Sequence, residues 1–182
     1  MGQTGAFASV EEMRAAAEGG DAVAQYNLGL AYVEGRGVAQ SYEEAFAWWR
    51  KAAAQGHAGA QCDIGTLYRY GRLGPPDKEE AAAWFAKAAE NAHLRAQSYL
   101  GWMYRQGEGV AQDYRMARQW LSRAARAGEA EGQTGLAYLY ADGLGVRRDD
   151  EKARRWFMKA AEQGQPSAQY ALGRIYETGR GV

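Results

Sequence analysis

The chain has 182 residues, and its 22 lysine and arginine residues balance its 22 aspartate and glutamate residues, so its formal net charge is zero. This balance disfavours a general nucleic-acid-binding surface, because nonspecific affinity for phosphates comes mainly from excess positive charge. The mean hydropathy is −0.57, and no uninterrupted apolar stretch approaches the length of a membrane span. Since Cys62 is the single cysteine, no intramolecular disulfide can form.

The N-terminal sequence MGQTGAFASVEEMR lacks the basic start and the long apolar run of a signal peptide. A cytoplasmic location is expected if this terminus is native, and a periplasmic or secreted location if a signal peptide has been removed. Residues 9–20 predict a helix that belongs to an incomplete repeat, because Ala16 and Ala17 stand 36 residues before Ala52 and Ala53.

The same 36-residue shift relates the rest of the chain. It predicts four full repeats and a final partial one, over residues 22–57, 58–93, 94–129, 130–165 and 166–182. Self-similarity at this period is typical of a solenoid, in which each unit buries its apolar face on its neighbours. We therefore expect one all-α solenoid over residues 1–182.

Residues 100–128 show what one repeat contains. Gly107 and Gly109 end a first helix, because glycine tolerates the left-handed conformation found just past a helix terminus. Asp113 then supplies an acceptor for the N–H groups that open a second helix. Residues 117–125 of that helix place apolar side chains on one stripe at the helical period. Each repeat is therefore expected to form a helix, a turn and a second helix.

Helix starts elsewhere carry similar signals. Ser41 with Glu44, and Asp77 with Glu80, are spaced as capping boxes. Asp149 keeps the cap without the reciprocal acid, and Pro166 suits the first turn of a last helix. In repeat two the turn reads GRLGPP, so only its local shape is expected to differ.

One tryptophan recurs on the apolar stripe of each second helix. Its position predicts a core residue rather than a ladder of ligand-binding rings, and truncation to alanine is expected to cost about 3–5 kcal/mol. The four members are Trp48, Trp84, Trp120 and Trp156.

The repeated motif A-x-x-x-L-G-x-x-Y-x-x-G-x-G-V, followed by A-x-x-W-[WFL]-x-[KR]-A-A-x-x-G, resembles the Sel-one-like repeat, a relative of the tetratricopeptide repeat. In repeat one it is carried by Leu28, Gly29, Tyr32, Gly35, Gly37, Val38, Ala45, Trp48, Trp49, Lys51, Ala52, Ala53 and Gly56. Ala137 departs from it by replacing the helix glycine in repeat four. The resemblance implies a right-handed superhelix of helix pairs and a role in adaptor or assembly proteins.

In the superhelices that this chain resembles, first helices line a concave groove. The first-helix positions opposite the buried face vary between repeats, whereas the buried positions hardly change. Aromatic residues and arginines, which dominate binding hot spots, are frequent among them. The predicted partner-binding residues are Tyr26, Leu30, Arg69, Tyr70, Trp102, Arg105, Tyr138 and Arg174. The alternative is that some of these rings only pack on the neighbouring repeat.

No catalytic, metal or cofactor site is predicted. His57 and His93 lie in matching turns without a cysteine cluster, so a role in the turn is expected rather than metal binding. Cys62 has no obvious histidine partner, and a small groove-side or partly buried residue is expected there. The glycine turns lack the strand and lysine of a phosphate loop.

The favoured function is a non-catalytic scaffold that holds a protein or peptide segment in its groove. A groove-located enzyme or small-ligand site is the alternative, and an RNA-binding helical repeat is disfavoured by the neutral charge. The last repeat stops at residues 179–182 and would expose Leu172, Ile175 and Tyr176. This predicts either a segment of a longer protein or end-to-end association with another molecule.

Overall fold

The computed structural model describes residues 9–179, and within them every regular element is an α-helix. The helices are α1 (Val10–Glu18), α2 (Ala22–Glu34), α3 (Tyr42–Ala54), α4 (Ala58–Arg69), α5 (Lys78–Glu90), α6 (Leu94–Gln106), α7 (Tyr114–Arg126), α8 (Ala130–Asp142), α9 (Asp150–Glu162) and α10 (Pro166–Thr178). The predicted all-α fold is confirmed, and α1 lies within the helix predicted over residues 9–20. That this helix belongs to an incomplete repeat stays a prediction. None of these helices combines the length and the apolar character needed to cross a membrane.

The chain divides into two compact units, one ending at Asn91 and the other beginning at Ala92. The first unit contains α1 to α5, and the second contains α6 to α10. In each unit, helices that follow one another along the chain pack together. The division falls next to the predicted boundary between repeats two and three, so each unit holds two full repeats and one additional helix. That the chain is a single solenoid stays a prediction.

The second helix of each repeat begins with a side-chain cap and a backbone bond to the preceding helix. The carboxylate of Asp113 accepts the N–H groups of Arg115 and Met116, and Ser41 caps α3 in the same way. The N–H of Ser41 donates to the carbonyl of Tyr32 at 3.0 Å, so it is not available to Glu44. The predicted reciprocal half of the capping box is therefore wrong.

The same backbone bond occurs in every repeat, from the cap residue of the second helix to the tyrosine of the first. The pairs are Ser41 with Tyr32, Asp77 with Tyr68, Asp113 with Tyr104 and Asp149 with Tyr140. In this arrangement the cap N–H is already satisfied, which explains why repeats three and four lack the reciprocal acid.

The two histidines cap first helices. Nδ1 of His57 accepts the N–H of Ala60 at 3.1 Å, and Nδ1 of His93 accepts the N–H of Ala96 at 3.3 Å. Burial lowers the pKa of His57 below its usual 6.5, partly opposed by a backbone hydrogen bond and by Asp63. The role in the turn that the sequence predicts is therefore capping of the next helix, and it requires an unprotonated Nδ1.

Each unit buries the residue that follows the repeated tryptophan more deeply than the tryptophan itself. Phe85 and Leu121 have no exposed surface, and Phe157 is 2% exposed. A Cβ added to Gly101 would lie 2.6 Å from Leu121 Cγ, so only glycine lets the two helices approach this closely. In repeat four, Ala137 packs in the same apolar cluster as Phe157.

The repeated tryptophans have a fixed neighbour. Trp48 and Trp120 are buried, which confirms the core prediction for them, whereas Trp84 and Trp156 are only partly buried. A basic residue three positions later lies over each indole, at 3.8 to 4.8 Å from the ring centroid. The lysine or arginine of the motif therefore covers the exposed edge of the ring through a cation–π contact.

A buried glutamine links the first helices of repeats one and four to the second helices that precede them. Gln25 Nε2 donates to the carbonyl of Ala17, and its Oε1 accepts from Gln55 Nε2 at 2.9 Å. Gln133 is bonded in the same way to Ala125 and Gln163. These amides satisfy backbone groups at helix ends that would otherwise be buried without partners.

The expectation that Cys62 lies toward the groove or is partly buried is wrong, because its side chain is completely buried. Ser98 and Thr134, at the matching positions of the next repeats, are also fully buried. First helices approach closely there, and a Cβ added to Gly132 would lie 3.0 Å from Ser98 Oγ. This position therefore belongs to the framework between helices.

The altered turn of repeat two has a local effect. Helix α4 ends one residue earlier than its counterparts, and Gly71 adopts φ +63° beyond it. The N–H of Asp77 still donates to Tyr68, so the spacing of the repeat is kept, as expected. At the C-terminal end Tyr176 is 55% exposed, while Leu172 and Ile175 are partly buried. Residues 180–182 of the predicted chain end lie outside the described residues.

Candidate functional site

The second unit carries an aromatic pair on the variable face of its first helices. Trp102 on α6 and Tyr138 on α8 occupy the same position of successive repeats. Because α8 packs against α6, the two rings meet edge to face, with centroids 5.9 Å apart and planes inclined by 63°. This is a favourable aromatic geometry, and both side chains remain partly exposed.

Arg105 completes the cluster. It lies one turn after Trp102 on α6, and its Cζ is 5.2 Å from the Trp102 ring centroid and 5.7 Å from that of Tyr138. Its Nη2 is 2.9 Å from Asp142 Oδ2, and its side chain is 22% exposed. Two rings and one carboxylate therefore hold the guanidinium in a single orientation. We call Trp102, Arg105, Tyr138 and Asp142 the aromatic–arginine cluster.

Tyr138 connects this cluster to the core. Its ring packs edge to face on Phe157, with centroids 4.9 Å apart. Burial raises the pKa of the Tyr138 hydroxyl, Arg105 opposes the shift, and Asp142 adds to it. The phenol therefore stays neutral around pH 7 and can act as a hydrogen-bond donor at the surface.

A cavity of about 240 Å³ adjoins the cluster between α8, α9 and α10. Its apolar part is formed mainly by Tyr138, Phe157, Tyr170 and Ile175, and Asp142, Asp150 and Arg174 provide charged groups. Asp150 is paired with Arg148 through two hydrogen bonds of 3.0 and 2.8 Å. The cavity thus combines an apolar lining with charges that are largely compensated.

Arg174, predicted as a binding residue, lies on α10 and is exposed beside this cavity. The main cause that raises the pKa of Arg174 is the hydrogen bond that its guanidinium donates to the Tyr170 hydroxyl oxygen. The guanidinium is therefore positively charged at any physiological pH. The structure brings Trp102, Arg105 and Tyr138 together, with Arg174 on the same cavity as Tyr138.

In the first unit, Tyr26 and Leu30 are more engaged in packing. The Tyr26 ring stacks on His57 with centroids 4.4 Å apart, and its hydroxyl donates to Asp63 at 3.0 Å. Leu30 packs against the apolar cluster that contains Trp49. For these two residues the contacts favour the alternative considered from the sequence, in which the side chain packs on the neighbouring repeat.

Arg69 and Tyr70 lie at the end of α4. Tyr70 is 59% exposed, and Arg69 Cζ is 5.8 Å from its ring centroid. Arg69 is partly exposed and Tyr70 is exposed, so both predicted residues are accessible at this helix end.

Phe157 is the functional residue that the sequence analysis missed. It forms the floor under Tyr138 and lines the cavity. The signal was present, since Phe157 occupies the motif position after the repeated tryptophan, which packs toward the first helix. Among residues 9–179, no three His, Cys, Asp or Glu side chains are grouped so that they could hold a metal ion.

The comparisons with known proteins agree with this architecture. The Sel1 repeat model matches residues 22–57, 58–93, 94–129, 130–165 and 166–182. These are the boundaries that the 36-residue period predicts. The chain belongs to the Sel1 repeat family, the Sel-one-like repeats that the motif resembles, and its fold is an all-α solenoid of helix pairs.

The solved structures include several similar proteins. A protective antigen of uropathogenic Escherichia coli, c5321, is 38% identical with a TM-score of 0.90 over 97% of this chain. A Sel1 repeat protein from Oxalobacter formigenes is also 38% identical, with a TM-score of 0.85 over 93% of this chain and 68% of its own. One from Klebsiella pneumoniae is 27% identical, with a TM-score of 0.63 over 94% of this chain and 82% of its own.

This chain spans 38% of the length of the Escherichia coli antigen. A search of curated proteins gives no significant match. Sel1 repeat proteins are generally scaffolds for protein–protein interaction, and the repeat is generally a non-catalytic fold.

Proposed function

We propose that the second unit binds a peptide segment of another protein on the variable face of α6, α8 and α10, and that the chain acts as a non-catalytic scaffold. The observation that carries this proposal is the aromatic–arginine cluster, a preformed group of hot-spot residue types at a surface whose framework does not need them. At the position of Trp102 and Tyr138, repeat two has Thr66, and its helices pack in the same manner.

The cluster is suited to binding because it is already ordered. Arg105 is held by two rings and Asp142, and Tyr138 is held by Phe157. A partner therefore gains contacts without the entropic cost of ordering these long side chains. The guanidinium edge and the Tyr138 hydroxyl offer hydrogen-bond donors for backbone carbonyl groups of a peptide.

The adjoining cavity suits an apolar side chain of such a segment. Its volume of about 240 Å³ lies below the usual range of about 300–1,000 Å³ for small-molecule pockets. Its carboxylates are engaged in ion pairs, Asp142 with Arg105 and Asp150 with Arg148. These features support anchoring of one residue rather than acid–base catalysis.

A selection from a phage-displayed dodecapeptide library, followed by calorimetry of the selected peptides, tests the proposal. We expect the W102A/R105A variant to bind the selected peptides at least about tenfold more weakly than the unaltered chain. The control variant L30A/R69A, which removes an apolar side chain and a guanidinium group at the matching positions of the first unit, is expected to keep the affinity within about twofold.

Two results would overturn the proposal. One is an equal loss of affinity in both double variants, and the other is peptides that bind W102A/R105A as tightly as the unaltered chain. Thermal unfolding of each variant shows whether a loss of affinity comes from a loss of folding. W102A/R105A should remain folded, because Trp102 is partly exposed whereas Trp120 is buried. A failed selection with a correctly folded chain would also count against the proposal.

A further inference from the structure

The outer face of α7 carries a concentration of arginines that the balanced net charge hides. Four arginine side chains are exposed along this helix, and no acidic residue occurs between Tyr114 and Gly128. They are Arg115, Arg118, Arg123 and Arg126. The other second helices mix both signs of charge, as in α5 with Glu79, Glu80 and Lys87.

The comparison between repeats shows that the fold does not require Arg115 or Arg126, whereas Arg123 is the basic residue of the motif that lies over Trp120. The counterparts of Arg115 are Glu43, Glu79 and Glu151, all in the first turn of their helices. An acid there is favoured by the helix dipole, whereas an arginine is disfavoured. Arg126 likewise replaces an alanine or a glutamate of the other repeats. Repeat three therefore carries arginines at two positions where the other repeats have none. Arg115, in the first turn, does not stabilise its own helix.

These side chains border a groove of about 530 Å³. Gln119, Ser122 and Tyr140 contribute neutral polar groups to it. The carboxylate of Asp113 also lies there, but it accepts the N–H groups of Arg115 and Met116 at 2.8 and 3.0 Å. No carboxylate of residues 9–179 forms an ion pair with any of the four guanidinium groups.

We propose that this groove, the α7 arginine groove, binds a short acidic segment of a partner protein, in which several Asp or Glu residues follow one another closely. Guanidinium groups pair with carboxylates through two parallel hydrogen bonds, and such charge-assisted bonds are the strong ones. Unpaired arginines around a concave polar surface supply that recognition without first breaking an ion pair of the chain itself.

The length of the α7 arginine groove favours a short peptide over a nucleic acid as its ligand. Arg115 and Arg126 are eleven residues apart along the helix, which corresponds to about 16 Å or about five residues of an extended strand. Nucleic-acid affinity grows with the number of phosphates neutralised. In the same unit the first turn of α9 carries Asp150 and Glu151, which oppose a longer polyanion.

This site is separate from the proposed peptide surface, since it lies on a second helix and shares no residue with the aromatic–arginine cluster. Fluorescence anisotropy of labelled hexaglutamate at low salt, with hexaglutamine as the neutral probe, measures it directly. We expect hexaglutamate alone to bind. The R118Q/R126Q variant should weaken that binding at least about tenfold, because it removes two charge-assisted contacts.

The control R36Q/R50Q removes the same charge from repeat one, where Arg36 and Arg50 are also exposed, and should keep the affinity within about twofold. The R115E variant restores the acid of the other repeats. It should lose binding while the protein unfolds at the same temperature or a higher one, which excludes loss of folding as the cause.

Three results would overturn the proposal. Hexaglutamate that does not bind the unaltered chain is the first, and equal weakening by R36Q/R50Q is the second. The third is a single-stranded oligothymidylate that binds more tightly than hexaglutamate and depends on Arg118 and Arg126, since the groove would then be a nucleic-acid site.

Discussion

The two units share the packing of each first helix on its second helix, and they differ at their surfaces. Phe85 in the first unit and Phe157 in the second lie at matching positions two repeats apart, and both are buried. On the first helices of the same repeats, Thr66 and Tyr138 occupy matching positions. The Thr66 hydroxyl donates to the carbonyl of Cys62, whereas the Tyr138 ring contacts Trp102. One side chain turns back to its own helix, and the other reaches out to a neighbouring helix.

This difference shows at which positions the repeat can vary its residue type. The buried amides, the cap-to-tyrosine bonds and the glycine contacts recur in both units and fix the spacing between helices. None of them involves the variable face of the first helices. A Sel1 repeat can therefore change that face without changing its fold, which is what an interaction scaffold requires.

The largest expected effect tests the shared framework. Trp48→Ala and Trp120→Ala should each lower the free energy of unfolding by about 3–5 kcal/mol, because each removes a buried indole and leaves a cavity. Urea denaturation followed by circular dichroism measures both. Similar losses in the two variants would support equal frameworks, and a near-neutral Trp120→Ala would refute the core assignment.

The next effect tests the difference between the surfaces. Tyr138→Ala should weaken binding of a library-selected peptide by about 2 kcal/mol, which is the size expected of a hot-spot aromatic residue. Thr66→Ala, its counterpart in the first unit, should leave the affinity unchanged. Calorimetry at one temperature compares them, and equal losses would remove the distinction between the units.

A substitution in repeat three tests how much the side-chain amide bridges contribute to stability. Repeats one, two and four have Gln55, Asn91 and Gln163 after the second helix, whereas repeat three has the exposed Ala127. Ala127→Gln should raise the free energy of unfolding by about 0.5–1.5 kcal/mol, because it supplies the missing bridge. Thermal unfolding measures the gain. An unchanged or lower midpoint would show that an amide bridge adds no stability in repeat three.

The smallest expected effect concerns pH and the first unit. Because the folded pKa of His57 lies below its unfolded value of 6.5, its contribution to stability is complete above pH 6.5. It is lost as the pH falls from 6.5 through the folded pKa, since protonation of Nδ1 removes the cap of α4. His57→Asn keeps a capping side chain that does not titrate.

Free energies of unfolding measured between pH 7.5 and 5 should therefore decline less in His57→Asn than in the unaltered chain. His93→Asn is the matched control, because it changes the equivalent cap and leaves His57 in place. An identical pH dependence in His57→Asn and the unaltered chain would show that His57 does not carry the effect.

Much of the fold was readable in the sequence because the repeat multiplies each signal. The helix caps at Asp113 and Ser41 and the core position of Trp120 were predicted and are confirmed. The capping box failed because local spacing does not reveal that the Ser41 N–H bonds to Tyr32. Likewise, the depth of Cys62 depends on how closely two helices approach, which a single helical wheel does not contain.

The candidate site was predictable only as a list of positions. The sequence placed Trp102, Arg105 and Tyr138 on one face, but their mutual contacts and the Phe157 floor follow from the packing of α6, α8 and α9. The α7 arginine groove was missed because the overall net charge averages over all repeats. Comparing Arg115 with Glu43, its counterpart, would have revealed it.

The most direct test of the account is to move the surface and keep the framework. In the W102A/R105A background, the substitutions Leu30→Trp, Val33→Arg, Thr66→Tyr and Tyr70→Asp place the four residues of the aromatic–arginine cluster at the matching positions two repeats earlier. We predict a folded chain in which calorimetry detects restored peptide binding. A chain that unfolds, or one that folds and does not bind the peptide, would contradict the separation of framework from binding surface.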